Sequence, residues 1–225
     1  MQKGGKQFRA IAIDGPAASG KSTVARMLSE QLDLAMVNTG AMYRAVAWEV
    51  VRRERDPRDE GAVKALLGEL DVVCGIAEGI STISIDGNSD EEALRSPEVN
   101  AAVSAVAAIS EVRELLVAKQ RELLQIGDLV MEGRDIGSVV FPETPYKFYI
   151  HASEEVRMKR RKAEGVSDVV GQRDREDSQR KASPLVVADG AIVIDSSEMT
   201  IEEVVAEVRS RLHELGWVEN EMTSV

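Results

Sequence analysis

Short runs of apolar residues alternate along the chain with longer stretches in which apolar residues recur at helical spacing. Short apolar runs bounded by polar residues indicate buried strands, and apolar residues at i, i+3, i+4 and i+7 indicate helices. Five runs have strand character, at 9–14, 35–38, 128–132, 147–151 and 191–195. Helical spacing follows at 22–32, 41–48, 62–70, 99–124, 153–162 and 173–180, and a last helix opens with the capping box Thr200-x-x-Glu203. Strands alternating with helices predict a three-layer α/β/α domain around a five-stranded parallel sheet.

One segment breaks this alternation. Residues 71–98 contain two short β-type runs and the turn signal Asp86-Gly87, and Pro97 closes the segment. Nothing in it is long enough to be a crossover helix. We therefore predict a small antiparallel β insert that stands off the main sheet, within a single domain spanning residues 1–225.

The first strand leads into a glycine-rich loop that matches G-x-x-x-x-G-K-[ST] at every fixed position, and a helix follows it. Such a loop turns backbone N–H groups toward phosphate oxygens, and the positive end of the next helix adds to the field. We expect ATP to be bound here by Gly15, Pro16, Ala17, Ala18, Ser19, Gly20, Lys21, Ser22 and Thr23. Lys21 can reach the β- and γ-phosphates, and the Ser22 hydroxyl can bind Mg²⁺. The alternative is a glycine turn beside an unrelated lysine.

The net charge of the chain restricts the class of partner that it can be expected to bind. The 225 residues carry a net charge of −11, which argues against non-specific binding to nucleic acid or to anionic membranes. No apolar run is long enough to span a bilayer, and the single cysteine, Cys74, rules out an internal disulfide. We expect a cytoplasmic protein, monomeric by default, that acts on small molecules.

Positive charge is concentrated in residues 157–181, which hold nine basic and five acidic side chains. We interpret this segment as a lid that closes over nucleotide phosphates and excludes water. Arg173 and Arg180 are seven residues apart and would share one face of a helix. Arg44 lies early in a helix and Arg134 at the end of a strand, where ligands bind in open α/β sheets.

These features favour a small-molecule kinase. The base-reading motif Asn-Lys-x-Asp of GTPases is not in the sequence. Phosphoryl transfer spreads negative charge over three oxygens, so several arginines and Mg²⁺ can supply most of the catalysis without a strong general base. The groups expected to do so are Lys21, Arg134, Arg173 and Arg180.

The chain also resembles a known family, the bacterial cytidylate kinases among the nucleoside monophosphate kinases. Five segments carry the resemblance, at 13–23, 39–44, 132–137, 139–142 and 173–185. They occur in the family's order and cover nearly the whole chain. Gly-Arg-Asp-Ile-Gly at 133–137 and the arginine-rich segment that ends in Ser183-Pro184-Leu185 are more specific than the phosphate loop.

The resemblance implies a role for each matching residue. Arg113 and Asp135 would read the cytosine, with help from Ser104, because cytosine offers an amino donor and two acceptors. The monophosphate would be held by Thr39, Arg44, Arg134 and Arg180, and the ribose by Arg173 and Asp177. Asp14 and Asp135 are close enough to the loop to be outer-sphere candidates for Mg²⁺. Asn38 stands where the family commonly has aspartate.

Three alternatives stay open at this point. The acceptor could be UMP, AMP or another small polar metabolite in place of CMP or dCMP. The chain could be a nucleotide sensor that transfers no phosphate, although a sensor needs no water-excluding arginines. A role in RNA binding is opposed by the negative charge.

Overall fold

The protein is described from a computed structural model. The structure describes residues 8–163, 170–178, 180 and 183–218, and of residues 170–173 it describes the backbone alone. The predicted residues outside this part are those of the lid at 164–169, 179 and 181, together with the side chain of Arg173.

A single sheet runs through the middle of the molecule. Its strands are β1 (Ala10–Asp14), β2 (Ala35–Asn38), β3 (Val72–Ala77), β4 (Ile80–Ile85), β5 (Leu129–Gly133), β6 (Lys147–His151) and β7 (Ile192–Asp195). Their order across the sheet is β3-β4-β2-β5-β1-β6-β7. Five neighbouring strands, β2, β5, β1, β6 and β7, are mutually parallel, as predicted.

Helices cover both faces of the sheet. They are α1 (Lys21–Leu32), α2 (Thr39–Arg52), α3 (Glu60–Leu67), α4 (Pro97–Val106), α5 (Ser110–Leu123), α6 (Glu154–Ala163), α7 (Val170–Ser178) and α8 (Ile201–Glu214). A 3₁₀ turn spans Ala93–Arg95 and a π-helical turn spans Ile136–Val140. The capping box predicted at the start of α8 is present, with both Thr200–Glu203 hydrogen bonds formed. None of the described helices combines the length and the apolar character that crossing a membrane requires.

Two hydrophobic cores lie on opposite faces of the sheet. Successive side chains of a strand point to opposite faces, so Ala12 packs with one core while its neighbours Ile11 and Ile13 pack with the other. The first core joins the sheet to α2, α4 and α5, and the second joins it to α1 and α8. The three-layer prediction is therefore confirmed.

The β insert differs from the prediction, because it does not stand off the sheet. The hairpin of β3 and β4 continues the sheet beyond β2, through one parallel pairing between Met36 and Ile80. The Met36 amide donates to the Gly79 carbonyl at 2.8 Å, and the Asn38 amide donates to the Ser81 hydroxyl at 3.1 Å. Without the hairpin β2 would be an edge strand with unpaired amides, and the hairpin satisfies them.

Three helix boundaries were also wrong. The Asp59 carboxylate accepts from the Ala62 amide, so α3 begins at Glu60 and not at residue 62. Helix α2 begins at Thr39 and not at residue 41, and Asn38 caps it by accepting from the Ala41 amide at 3.1 Å. The lid helix α7 ends at Ser178, so Arg180 lies beyond it and does not share a helical face with Arg173.

Candidate active site

The carboxyl ends of β2 and β5 and the loop after β1 border a cleft of about 210 Å³. Eight of the nine residues predicted to bind the acceptor line it, namely Thr39, Arg44, Ser104, Arg113, Arg134, Asp135, Asp177 and Arg180. Four residues of the phosphate loop line it as well, namely Ala17, Ala18, Lys21 and Ser22. The ninth acceptor residue, Arg173, lies on α7, and its side chain is outside the described part. The structure thus brings together residues that are more than 160 positions apart in the chain.

The loop after β1 passes too close to β6 for a side chain at its first position. A Cβ on Gly15 would lie 2.0 Å from the Ile150 carbonyl oxygen, so only glycine fits there. Helix α1 then begins at Lys21 itself, which directs its first amides into the loop. The Lys21 ammonium is buried and donates to the Pro16 carbonyl at 3.1 Å. This is the strand, loop and helix context that the motif requires.

Glu132, at the end of β5, is a site residue that the sequence reasoning left out. The Ser22 hydroxyl donates to its Oε1 at 2.9 Å, and the Lys21 Nζ lies 3.9 Å from its Oε2. The Thr39 hydroxyl donates to its backbone carbonyl at 2.8 Å. Its place directly before Gly-Arg-Asp, at a strand end, was a signal that could have identified it. A hydroxyl and a carboxylate side by side are the oxygen donors that Mg²⁺ prefers.

An ion pair between Arg113 and Asp135 forms one wall of the cleft, and both residues are buried. Arg113 also donates to the Ala107 carbonyl at 3.3 Å, and its guanidinium lies 5.2 Å from the Tyr43 ring. Its buried Nε has no partner in the part of the chain that the structure describes. Burial raises the pKa of the Tyr43 phenol to about 12, so this ring stays neutral. The wall therefore offers one acceptor and one donor group side by side.

Three arginines and one carboxylate form another part of the cleft lining. Asp177 accepts from Arg134 Nε at 2.9 Å through one oxygen and from Arg180 through the other. Burial lowers the pKa of the Arg180 guanidinium, against the opposing effect of the Asp177 charge. Arg44 reaches the same cleft and is held by Asn100 Oδ1 at 2.5 Å. Asp177 was predicted to contact ribose. In the structure it bridges two arginines.

The lid helices contact the phosphate loop through residues that the sequence reasoning had left undecided or unnamed. Arg157 is buried, donates to the Ala17 carbonyl at 3.1 Å and pairs with Asp174 of α7. Arg160 donates to the Ser19 carbonyl at 3.1 Å. Both arginines therefore hold the phosphate loop through two of its carbonyl oxygens.

Asp14, the last residue of β1, is buried beneath the cleft. Its two oxygens accept from the amides of Ile136 and Gly137, each at 2.8 Å. Burial raises the pKa of its carboxyl from 3.8 to about 7, against the two backbone hydrogen bonds, which lower it. Both carboxylates proposed as outer-sphere groups for Mg²⁺ are thus engaged elsewhere, Asp14 by these amides and Asp135 by Arg113.

Comparison with known proteins identifies the family. The family model described as cytidylate kinase matches residues 11–214. A cytidylate kinase of Clostridium botulinum (strain Loch Maree / Type A3) is 44% identical over 211 residues, covering 89% of this chain and 95% of the relative. A cytidylate kinase of Pelotomaculum thermopropionicum is 43% identical over 217 residues, covering 91% and 96%. One of Caldanaerobacter subterraneus subsp. tengcongensis is 42% identical over 209 residues, covering 88% and 92%.

The match extends over both halves of the cleft, from the phosphate loop through the Arg113–Asp135 wall to the lid arginines. The resemblance noted in the sequence is thereby confirmed, and the chain belongs to the cytidylate kinase family.

Proposed function

We propose that this enzyme transfers the γ-phosphoryl group of ATP to CMP or dCMP, giving ADP and CDP or dCDP. The observation that carries the proposal is the arrangement of the cleft. One cleft is lined together by the phosphate loop, by the buried Arg113–Asp135 pair and by a cluster of arginines. An acceptor with a base, a ribose and a phosphate matches this combination of groups.

The phosphate loop would bind ATP through its amides and through Lys21. Ser22 and Glu132 together fit Mg²⁺, because they supply adjacent oxygen donors. When bound, Mg²⁺ would neutralise the charge that develops on the β- and γ-phosphates. Among the described residues no cluster of three or more acidic, histidine or cysteine side chains offers an all-protein metal site, and Mg²⁺ in kinases commonly relies on the substrate phosphates.

The base would be read by the buried ion pair. The Asp135 carboxylate can accept from the cytosine amino group, and Arg113 can donate to the ring acceptors. Uracil presents a carbonyl oxygen in place of the amino group, which would face the carboxylate unfavourably. Ser104, on the cleft wall, would add a hydroxyl contact.

The arginines would hold and activate the phosphates. Arg44 and Arg134, with Thr39, would bind the acceptor phosphate, since guanidinium binds phosphate through two parallel hydrogen bonds. Arg180, and Arg173 from α7, would stabilise the transferred group in the transition state. The lid at 157–181 would close over them, and Asp177 would exchange an arginine contact for a ribose hydroxyl.

The test is ADP release, measured with a coupled assay at saturating Mg·ATP and with CMP, dCMP, UMP, AMP or no acceptor. Strong turnover on CMP and dCMP and little on UMP is expected. Turnover on AMP but not on CMP would overturn the roles of Arg113 and Asp135. ADP release at the same rate with and without an acceptor would overturn phosphoryl transfer to an acceptor. It would favour the alternative of a nucleotide sensor.

The net charge of −11 supports free nucleotides as the partners, in preference to nucleic acid. A monomer remains our expectation, and size-exclusion chromatography with light scattering tests it. Enzyme that elutes as a stable dimer would contradict it.

A further inference from the structure

The turn that follows Asp135 begins with backbone amides that need an acceptor. The π-helical turn Ile136–Val140 starts directly after Asp135, which occupies its N-cap position. Aspartate is among the best N-cap residues, because its carboxylate accepts from the amide two or three residues later, here that of Gly137 or Ser138. The Asp135 side chain does not do so here, and it pairs with Arg113 in the cleft instead.

Asp14 supplies the missing acceptor from another strand. One of its oxygens accepts from the Ile136 amide and the other from the Gly137 amide, each at 2.8 Å. Parallel pairing of β1 with β5 places Asp14 opposite Gly133, so its carboxylate lies directly under the turn. Asp14 thus satisfies the two amides nearest to the Asp135 carboxylate along the chain.

The other end of the turn is also held from outside. Arg121 of α5 donates to the carbonyls of Val139 at 2.8 Å and Val140 at 3.0 Å. The same helix carries Arg113, the partner of Asp135. Two charged side chains therefore fix the turn at both ends, one from the phosphate-loop strand and one from the helix that carries the base-reading arginine.

We propose that Asp14 is a positioning residue for base recognition, which caps the turn in place of Asp135 and so leaves the Asp135 carboxylate free for Arg113 and the nucleobase. This inference rests on the proposed function. Without the Asp14 acceptor, the carboxylate nearest in sequence to these two buried amides is that of Asp135. Capping its own turn would take Asp135 away from the cleft, and selection of CMP over UMP would be lost.

The experiment compares the ratio of kcat/KM for CMP to that for UMP in wild type and in Asp14→Asn. Asparagine keeps one acceptor and turns an NH₂ group toward the second amide, which leaves a buried donor unsatisfied. We expect kcat/KM for CMP to fall about tenfold or more. We also expect the CMP-to-UMP ratio to fall, and KM for ATP to stay within about twofold of wild type.

A matched control lies at the other end of the same strand pair. Asp128, just before β5, is also buried, accepts from the Arg9 amide at 2.7 Å and pairs with the Arg9 guanidinium. Asp128→Asn should lower thermal stability and leave the CMP-to-UMP ratio at the wild-type value. If Asp128→Asn lowered the CMP-to-UMP ratio as much as Asp14→Asn does, the fall would be due to general destabilisation. The inference would then fail.

A double-mutant cycle with Asp135→Asn separates positioning from structure. If Asp14 acts through Asp135, the double variant should have the same CMP-to-UMP ratio as Asp135→Asn alone. A further loss in the double variant, or an unchanged ratio in Asp14→Asn, would overturn the inference. If the wild-type enzyme itself did not turn over CMP, the proposed function would be overturned instead. If Asp14→Asn does not fold, Asp14→Ser, which is smaller and keeps one acceptor, takes its place, and a wild-type ratio in that variant would overturn the inference.

Discussion

Replacing Asp177 by asparagine is the sharpest test of the arginine cluster. Asp177 is 2% exposed and separates Arg134 from Arg180, with one oxygen for each. The substituted asparagine would keep the shape, remove the negative charge and point an NH₂ group at one guanidinium. Two guanidinium groups, one of them only partly buried, would then lose the carboxylate that bridges them.

The size of the effect follows from that burial. Removing one partner of a buried ion pair costs about 3–5 kcal/mol in the free energy of unfolding. The Arg134 side chain is 18% exposed and one acceptor oxygen is retained, so the lower end, about 3 kcal/mol, is the appropriate value. For a chain of this length each kcal/mol moves the melting temperature by about 2–4 °C, so we expect a fall of about 6–12 °C.

The assay is thermal unfolding of wild type, Asp177→Asn and the control Glu155→Gln, each with and without inorganic phosphate. Glu155 pairs with Lys159 at 2.9 Å on an exposed face of α6, so its loss should leave the melting temperature unchanged. Phosphate should stabilise Asp177→Asn more than wild type, because an anion replaces the lost carboxylate. A melting temperature of Asp177→Asn within about 2 °C of wild type would refute the reasoning, because a change that small corresponds to 1 kcal/mol or less, at about 2–4 °C per kcal/mol.

Three further predictions concern other parts of the molecule. The folded pKa of Asp14, about 7, lies above its ordinary 3.8, so its contribution to stability is present below about pH 4 and is lost as pH rises to about 7; denaturant titrations across this range should show that fall in wild type and not in Asp14→Asn. Asn100→Ala removes the acceptor that holds Arg44 and should raise KM for CMP severalfold at constant KM for ATP; an equal rise in both would contradict a role at the acceptor phosphate. Burial raises the pKa of the Cys74 thiol to about 11, so iodoacetamide at pH 8 should label it far more slowly than free cysteine, and labelling at the free-thiol rate would contradict that shift.

The parts of the fold that could be predicted are those specified by local pattern. Each parallel strand is a short apolar run, and the phosphate loop and the capping box of α8 are local chemical motifs. The position of the β3–β4 hairpin could not be predicted, because it depends on which edge of the finished sheet has amides to pair. The π-helical turn depends in the same way on Asp14 and Arg121, which are distant in sequence.

The residues of the site divide in the same way, into those that a local motif identifies and those that depend on the finished fold. Most of the cleft residues that were predicted, such as Thr39, Arg44 and Arg134, lie in short motifs, and the resemblance to the family assigned them. Glu132, Arg157 and Asn100 act by holding other side chains or the loop, and their partners are known only once the chain is folded. Supporting contacts of this kind are hard to predict from the sequence, because any of several nearby positions could have supplied them.

The contacts from α6 to the phosphate loop have an electronic consequence. Arg157 and Arg160 donate to the carbonyls of Ala17 and Ser19, and each of those carbonyls shares a peptide group with the following N–H, that of Ala18 and of Gly20. A cation bound to the oxygen of an amide withdraws electron density and makes its N–H a stronger donor, so hydrogen bonds in such chains reinforce one another. The loop's attraction for nucleotide phosphate can therefore be adjusted by evolution, or by an engineer, from a helix far away in sequence, with every residue of the loop unchanged.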